Sequence, residues 1–425
     1  MLTFQRVGVH DLDTLRTYYR SCPYGLSDYS AGMLLMWEPL RAEYAEAEGC
    51  LIVKVHDGND VFFHYPVPSA QGDEDAALTQ IEGYCLKNGI ALSFSVVPQE
   101  KVSHITRRYP FYRLRRIRSW QDYIYRSEDM RTFAGRHYSG QRNHINKFFR
   151  QYPTAHFRPL RTDDVSELEQ FFNAYESAIP AEETGKVQEL CYTRKLFRLL
   201  ENPAFRAGCM EWEGRIIAVS LGEICGNTMI VHIEKALSQY EGIYPAMVRE
   251  FAAAFGRDAA WFNREDDAAE KGLRISKLQY RPTHMGEKYR IDIENELSVF
   301  SDVSEIKTEH LLLRPIVESR TDATASLSIR FSVMRGDICI ADASVDTFDF
   351  RGGAELHLRL LSEYAGRGLE REAFLALKDW ALYDLGLRVV RASCRRDDSA
   401  QRELLNTCMR RSGEDEISCR FEAIV

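Results

Sequence analysis

The stretch "MIVHIEKAL" sets two ionisable side chains in an apolar run. Alternation along a strand puts His232 and Glu234 on one face, with Ile233 and Lys235 on the other. Such a group serves as a base only within hydrogen-bond reach of the proton it removes. The competing role is an ion pair of Glu234 with Lys235, Arg264 or Arg274. Further on, the apolar run of "WFNREDDAAEKGLRISKLQY" ends at Asn263, and Arg264, Glu265, Asp266 and Asp267 follow directly. Ligands of open α/β sheets often bind at the carboxyl ends of strands. Three carboxylates there suit an amine. Arg264, Lys271, Arg274 and Lys277 would fix the carboxylates or hold a phosphate. The other reading is a solvated loop in which Asp266 or Asp267 caps the next helix.

Other stretches suit phosphate. Residues 101–150 hold 13 Lys/Arg against three Asp/Glu, in a chain of net charge −8. Within them "GRHYSGQRNHINKFFR" has helical spacing. Arg136, Gly140, Asn143, Lys147 and Arg150 form a polar stripe, and Ile145, Phe148, Phe149 and Tyr152 face a core. Such a surface suits the phosphates of transfer RNA, of a cofactor or of a lipid headgroup. Alternatively its arginines pair with acidic residues elsewhere in the chain. In "EYAGRGLEREAFLAL", Gly366, Arg367 and Gly368 lie between a strand and a helix, where backbone N–H groups and a helix N-terminus meet phosphates. Tyr240 and Tyr244 in "SQYEGIYPAM" either line a slot or pack beside a loop.

The elements that position these residues follow a pattern that occurs three times. "CLIVKVHDGNDVFFHYPV", "GCMEWEGRIIAVSLGEICGNTMIVHIEKA" and "IRFSVMRGDICIADASVDTFDFRGGAELHLRLL" each read as strands joined by glycine-containing turns. A helical pattern and one more strand follow each: "IALSFSVV", "AAWFN" and "LRVVRASC". Antiparallel strands, a helical crossover and a neighbouring strand make an α/β unit of mixed pairing. At about 150 residues per domain, the 425 residues divide into 1–128, 129–300 and 301–425, three related domains.

The net charge excludes a wholly basic nucleic-acid binder. The ten cysteines are scattered singly, without CxxC or a Cys/His cluster of zinc spacing, so no metal is expected. Several lie in apolar runs as small hydrophobes, which fits a reducing cytoplasm. The N-terminus lacks a signal-peptide pattern, and no run of about 18 apolar residues exists. The sequence therefore reads as cytoplasmic, with no integral membrane contact.

Two resemblances add to this. The last hundred or so residues, through "EYAGRGLEREAFLAL" and "LGLRVVRASCRRDDSAQRELL", resemble the GNAT acyltransferase superfamily, especially its ribosomal-protein acetyltransferase branch. This implies acetyl-CoA or another acyl-CoA at Gly366, Arg367 and Gly368. The sequence departs from that pattern at Ala365 and at Glu370, whose carboxylate would repel a pyrophosphate. The middle of the chain, through "GRHYSGQRNHINKFFRQYP", "VHIEKALSQYEGIYPAMVREFA" and "NREDDAAEKGLRISKLQYRPTHMGEKY", resembles a bacterial family related to the C-terminal domain of phosphatidylglycerol lysyltransferases. "SDYSAGMLLMW" and "SWQDYIY" carry it back toward the N-terminus. That domain is GNAT-like in tandem, and its lysyltransferase members move an aminoacyl group from transfer RNA to a lipid headgroup. The implied fold is α/β (α+β): three GNAT-like domains, each a mixed, mostly antiparallel sheet flanked by helices. The implied activity is acyl transfer to a small-molecule or headgroup acceptor, with Glu234 as base and His232 as its partner or alternative. Arg142, Asn143, Asn146 and Lys147 match the family motif and would hold phosphate. Tyr244 stands where GNAT phosphate loops have a small residue, which argues against coenzyme A in the middle domain. The alternative function is a non-catalytic protein that binds a metabolite or transfer RNA.

Overall fold

The computed structural model describes residues 2–37, 40–180, 182–294, 303–316, 328–346 and 348–424. The expected seam near 300 lies outside the described residues. The chain forms two compact units, one from residues 1–102 and 114–291, the other from residues 103–113 and 292–425.

The first unit holds two sheets. Val- and Ile-rich Cys50–Asp57 turns at Asp57-Gly58-Asn59 and pairs antiparallel with Asp60–Phe63. Gly58 has φ +61° there, which glycine adopts without a Cβ clash. After the helix Glu74–Asn88, Ser93–Pro98 returns parallel to Asp60–Phe63. The second sheet has the strand order 284–286, 122–126, 261–263, 228–236, 215–225, 205–212, 156–159. The strand Asp122–Arg126, which precedes the expected seam near 128, pairs in this second sheet with Trp261–Asn263. Lys288–Ile293 then crosses back into the first sheet. The two sheets thus interleave along the chain.

Helix Ile243–Phe255 covers the second sheet because its apolar residues recur at helical spacing. Ile243, Met247 and Phe251, with Ala246 and Ala252, are buried. They join Tyr123, Tyr125, Met229 and Phe262 in one core with Ile145 and Phe148 of helix Ser139–Gln151. That helix therefore buries two of the four residues assigned to its core face, while Phe149 and Tyr152 pack against the core partly exposed.

The other unit carries an eight-stranded sheet. Its central strands Ser328–Arg335, Ile338–Asp346 and Gly353–Leu360 are antiparallel neighbours. Gly353–Leu360 pairs parallel with Val389–Arg395. Helices Leu369–Asp379 and Ser399–Cys408 pack on this sheet through Phe374, Leu377 and Leu405. Asp398 caps the second of these by accepting from Gln401 N at 2.9 Å. All three sheets are thus mixed, mostly antiparallel and flanked by helices, as the threefold pattern predicts. Eight of the ten cysteines are buried; Cys191 and Cys339 are exposed.

Candidate active site

One geometric feature recurs where chemistry is expected. The parallel pair Thr228–Ala236 and Trp261–Asn263 is in register only from Thr228–Trp261 to Ile230–Asn263. Beyond that point the strands part. His232 and Glu234 follow on one strand, and Arg264 to Asp267 follow on the other.

Side chains bridge the parting. Arg264 donates from Nε at 2.8 Å and Nη2 at 2.6 Å to Glu234 Oε2. Its guanidinium lies 4.4 Å from the Tyr280 ring centroid, a cation–π contact. Its Nη1 is buried without a hydrogen-bond partner. Both bonds end on Oε2, so Glu234 Oε1 is left open among the described residues. Of the ion pairs open from sequence, Glu234 takes Arg264, while Lys235 pairs with Glu189 at 2.6 Å and Arg274 with Asp267 at 2.8 Å.

His232 is fully buried between two carboxylates, with Nδ1 2.8 Å from Glu265 and Nε2 3.0 Å from Glu223. Burial pushes its pKa down, but the hydrogen bonds to Glu223 and Glu265 outweigh it and raise it to about 9. The two carboxylates thus favour the charged imidazolium of His232. Glu223 also accepts from Gly32 N at 2.5 Å. An ideal Cβ on Gly32 would lie 2.4 Å from His232 Nε2, so only glycine fits at that approach.

Asn263 to Asp267 are buried or half-buried and are not a solvated loop. Asn263 and Asp267 are fully buried. Asn263 Nδ2 donates to Asp122 Oδ2 at 2.7 Å and to Gly25 O at 2.8 Å, and its Oδ1 accepts from Glu265 N at 2.7 Å. Asp267 takes both arms of Arg274 at 2.8 Å and the Tyr123 hydroxyl at 2.7 Å. Arg274 first, with Tyr123, holds its carboxyl down at about 2. Burial raises Asp266 to about 6 against the opposing pull of Lys288. Lys277 is buried with Nζ on the carbonyls of Arg264 and Asp266, and burial lowers its pKa. Neither Asp266 nor Asp267 caps the next helix. The N-cap of Lys271–Gln279 is Glu270 without a side-chain bond, because Asp266 and Asp267 accept from Ala268 N and Ala269 N in tight turns. Glu265, Ala268 and Ala269 all have positive φ, a backbone strain that non-glycine residues carry only where surroundings enforce it.

Behind these residues lies a group that the residue-by-residue sequence reading did not single out. Lys288 bonds to Asp28 and, at 2.8 Å, to Asp122. Ser27 donates to Asp122 from its backbone N at 2.7 Å and its Oγ at 3.0 Å. The signal lay in "SDYSAGMLLMW" and "SWQDYIY", which contain Ser27, Asp28, Gly32 and Asp122.

Of the remaining candidates, Tyr244 lies within electrostatic reach of Glu234. Tyr240 packs with Tyr152 and Trp212 at centroid distances of 5.2 and 5.6 Å, which is the packing role. Tyr244 is part-exposed, its hydroxyl 3.4 Å from Ala236 O. Arg142 donates to the carbonyls of Phe133 and Gly135, closing the end of helix Ser127–Thr132. Lys147 pairs with Glu241 at 2.5 Å, while Asn143 and Asn146 are exposed. Arg116 and Arg118 likewise meet Glu287 and Asp267. Much of the basic strip is thus paired.

The last unit repeats the parting. Gly353–Leu360 and Val389–Arg395 are in register from Gly353–Val389 to Glu355–Arg391. Past that point a cavity of about 810 Å³ opens, lined by Leu356, Leu358 and Leu360 on one strand and Ala392 and Ser393 on the other. Glu370 and Phe374 reach it from the helix that follows Gly366 and Gly368. Those glycines have φ +76° and +77°, and a Cβ on either would meet nothing within 4 Å.

Residues 20–292 match the family model described as phosphatidylglycerol lysyltransferase, C-terminal. The chain belongs to this family. Residues 302–408 match the acetyltransferase (GNAT) domain model. Lysyl and acetyl groups are both acyl groups, so the two descriptions name one class of chemistry. A conserved protein of unknown function from Bacteroides thetaiotaomicron VPI-5482 is 26% identical with a TM-score of 0.61, covering 69% of this chain and all of that one. L-PGS from Bacillus licheniformis is 14% identical with a TM-score of 0.49, covering 69% of this chain and 94% of that one. An uncharacterised protein of Mycoplasmoides gallisepticum is 23% identical over 174 residues, which is 40% of this chain. The chain spans 56% of that relative's length. Among the described residues of this lysyltransferase-family chain, no helix is long and apolar enough to cross a membrane.

Proposed function

We propose that the chain is an acyltransferase whose main site is the parting of Thr228–Ala236 from Trp261–Asn263. The reaction is attack of an amine or hydroxyl on an activated acyl carbonyl. The new bond is C–N or C–O, and the bond that breaks is the ester to transfer RNA or the thioester to coenzyme A. Glu234 Oε1 takes the proton of the attacking group, and the leaving oxygen or sulfur is reprotonated from solvent. The observation that carries this reading is Glu234 itself. Its Oε2 is held in place by Arg264, and its Oε1 is open at the carboxyl end of a central strand. A base so oriented contributes typically 10²–10⁴-fold to rate. His232, Glu223 and Glu265 orient the wall formed by Asn263 to Asp267, which with Arg274 and Lys277 shapes the substrate pocket. Arg142, Asn143, Asn146 and Lys147 offer a surface for transfer RNA, to which the exposed Asn143 and Asn146 are the most accessible.

The test is transfer from aminoacyl-transfer RNA and from acetyl-CoA to panels of amines and hydroxyls, with wild type and Glu234→Gln. Loss of about 10²-fold or more in the variant, with unchanged melting, supports the reading. Full activity in Glu234→Gln removes Glu234 as the base. No transfer from either donor, with retained binding, returns the chain to the binding-protein reading.

A specific observation favours a second donor site. The cavity between the parted strands of the last unit is of ligand size, and Gly366, Arg367 and Gly368 precede the helix that lines it. We infer that acyl-CoA enters there, with Glu370 weakening its grip on a pyrophosphate. The three-domain division with seams near 128 and 300 accompanies this reading, one parallel pair to each domain.

A further inference from the structure

An aminoacyl group differs from other acyl groups in carrying an amine of its own. Aminoacyl transfer at the first site joins the acyl carbon to an acceptor and leaves that amine free. The linkage also makes the amine more reactive. In a free amino acid the adjacent carboxylate favours the ammonium form. In an ester or amide that charge is gone. The α-amine then titrates at about 7.7–8.0, so roughly a tenth of it is the neutral nucleophile at pH 7. The product of aminoacyl transfer is thus itself an acceptor for a second acyl transfer.

The cavity of the last unit passes through its sheet. Leu356 and Phe374 line it from the core side, and Ser344 and His357 line it from the opposite face. That face is polar because Asp342, Ser344 and Asp346 alternate with the buried Ala341, Ala343 and Val345. The helix after Gly366 and Gly368 packs on the core side. With a thioester donor beside that helix, the polar face is left to the acceptor. There Asp346 stands directly opposite Glu355 across the strands, and like charges so placed destabilise a sheet. Glu355 is the last residue in register before the strands part, and its partner Arg391 is turned to Asp349 at 2.9 Å. Arg359, on the same strand, is the register partner of Asp342. Among the described residues, neither Asp346 nor Glu355 pairs with a lysine or arginine. His357 Nε2 lies 3.7 Å from one oxygen of each, beyond hydrogen-bond distance. An ammonium group at this mouth supplies the missing cation beside the gap.

We propose that the two sites act in series: the last unit N-acylates the aminoacyl group that the first unit has transferred. The ammonium gives its first proton to solvent, and the neutral amine attacks the thioester carbonyl. The C–N bond forms, the C–S bond breaks, and coenzyme A leaves as the thiol with the second proton of the amine. The order follows from charge. The half-buried Glu265 and Asp266 of the first site suit an amine that is still charged, and an amide carries no charge. Acylation therefore comes after transfer. This rests on the reading of the first site as an aminoacyltransferase. Its test supplies the aminoacyl ester directly, so failure of the second step is separate from failure of the first.

The experiment gives the full chain acetyl-CoA and, separately, alanine, alanine methyl ester and alanyl-transfer RNA at pH 7. N-acetyl products are counted by mass spectrometry, with the rate in the absence of protein subtracted. The ester should be acetylated about tenfold or more faster than free alanine, which keeps its carboxylate, and faster than alanyl-transfer RNA. Asp346→Asn combined with Glu355→Gln removes two part-exposed charges at nearly constant shape. It should raise KM for the ester by about tenfold and leave kcat within about twofold, because these carboxylates hold the ammonium and take no part in the bond changes. The proposal is overturned by an ester that is not acetylated, by free alanine or alanyl-transfer RNA acetylated as fast as the ester, or by a wild-type KM in the double variant. Acetylation of the ester by a chain that transfers nothing from alanyl-transfer RNA also overturns the series, and leaves the last unit as an N-acyltransferase in its own right.

Discussion

His232 is held between two carboxylates that favour its charged form. Its folded pKa of about 9 lies above the roughly 6.5 of an unfolded histidine. The stability it contributes is therefore fully present below about pH 6.5 and is lost as pH rises through 9. A rise of this size is worth about 3 kcal/mol as an upper bound. Thermal melts from pH 6 to 9.5 should fall more steeply for wild type than for His232→Gln, and parallel curves would contradict the paired imidazolium. Gly32 is the second test at this scale. With its Cβ forced to 2.4 Å from His232 Nε2, Gly32→Ala should cost about 1–3 kcal/mol, as overpacking does, read as a lower urea midpoint at unchanged slope. Strand alternation suggested a shared face for His232 and Glu234, but a bulge at His232, where Leu221 pairs with Ile233 and Gly222 with Val231, breaks that alternation. The sequence did not show that Glu223 would close on His232 from the neighbouring strand, or that Gly32 would approach from almost two hundred residues away. Those partners depend on register and on close packing, and neither is written in a local pattern.

Strands that run parallel for three residues and then part are the element on which both proposed sites rest. In the second sheet, the parting is bridged by Arg264 and Glu234. In the last sheet it is open, and the cavity fills the gap. Opening the bridge is thus a direct test of what the bridge does. Arg264→Lys keeps the charge but loses the two-armed grip on Oε2 and the flat contact on Tyr280. Activity should fall by about tenfold or more while Glu234 remains in place, and a wild-type rate would show that the grip is only structural. In the last unit, Gly368→Val should act through the backbone. A side chain at φ +77° costs about 1–2 kcal/mol, and any stabilisation by acetyl-CoA should vanish with it. The strand–helix–strand rhythm and the turn glycines were legible because hairpins and amphipathic helices have short periods. The alternative of a helix cap at Asp266 or Asp267 was open for the same reason: a carboxylate before a helix looks like a cap, whereas here both accept from Ala268 N and Ala269 N in tight turns.

At the scale of the molecule, the two compact units make separate claims on ligands, and a melting experiment distinguishes them. Acetyl-CoA at about 100 times its Kd should add about 2.7 kcal/mol to the transition of the unit that binds it. That transition can be assigned by repeating the scan with Gly368→Val. Transfer RNA should act on the other unit, in a salt-dependent way, and an effect of transfer RNA on the acetyl-CoA-responsive transition would contradict the division. The interleaving of the first two sheets has a bearing on how the protein is made. Lys288, which neutralises Asp28 and Asp122, leaves the ribosome more than 160 residues after the second of these carboxylates and 260 after the first. Until then, the nascent chain carries two acidic side chains that cannot be buried without it and a sheet that lacks the strand Lys288–Ile293. An incomplete sheet offers unpaired edges to other chains. Translation pauses placed before residue 288 should therefore raise aggregation, and pauses placed after 293 should not.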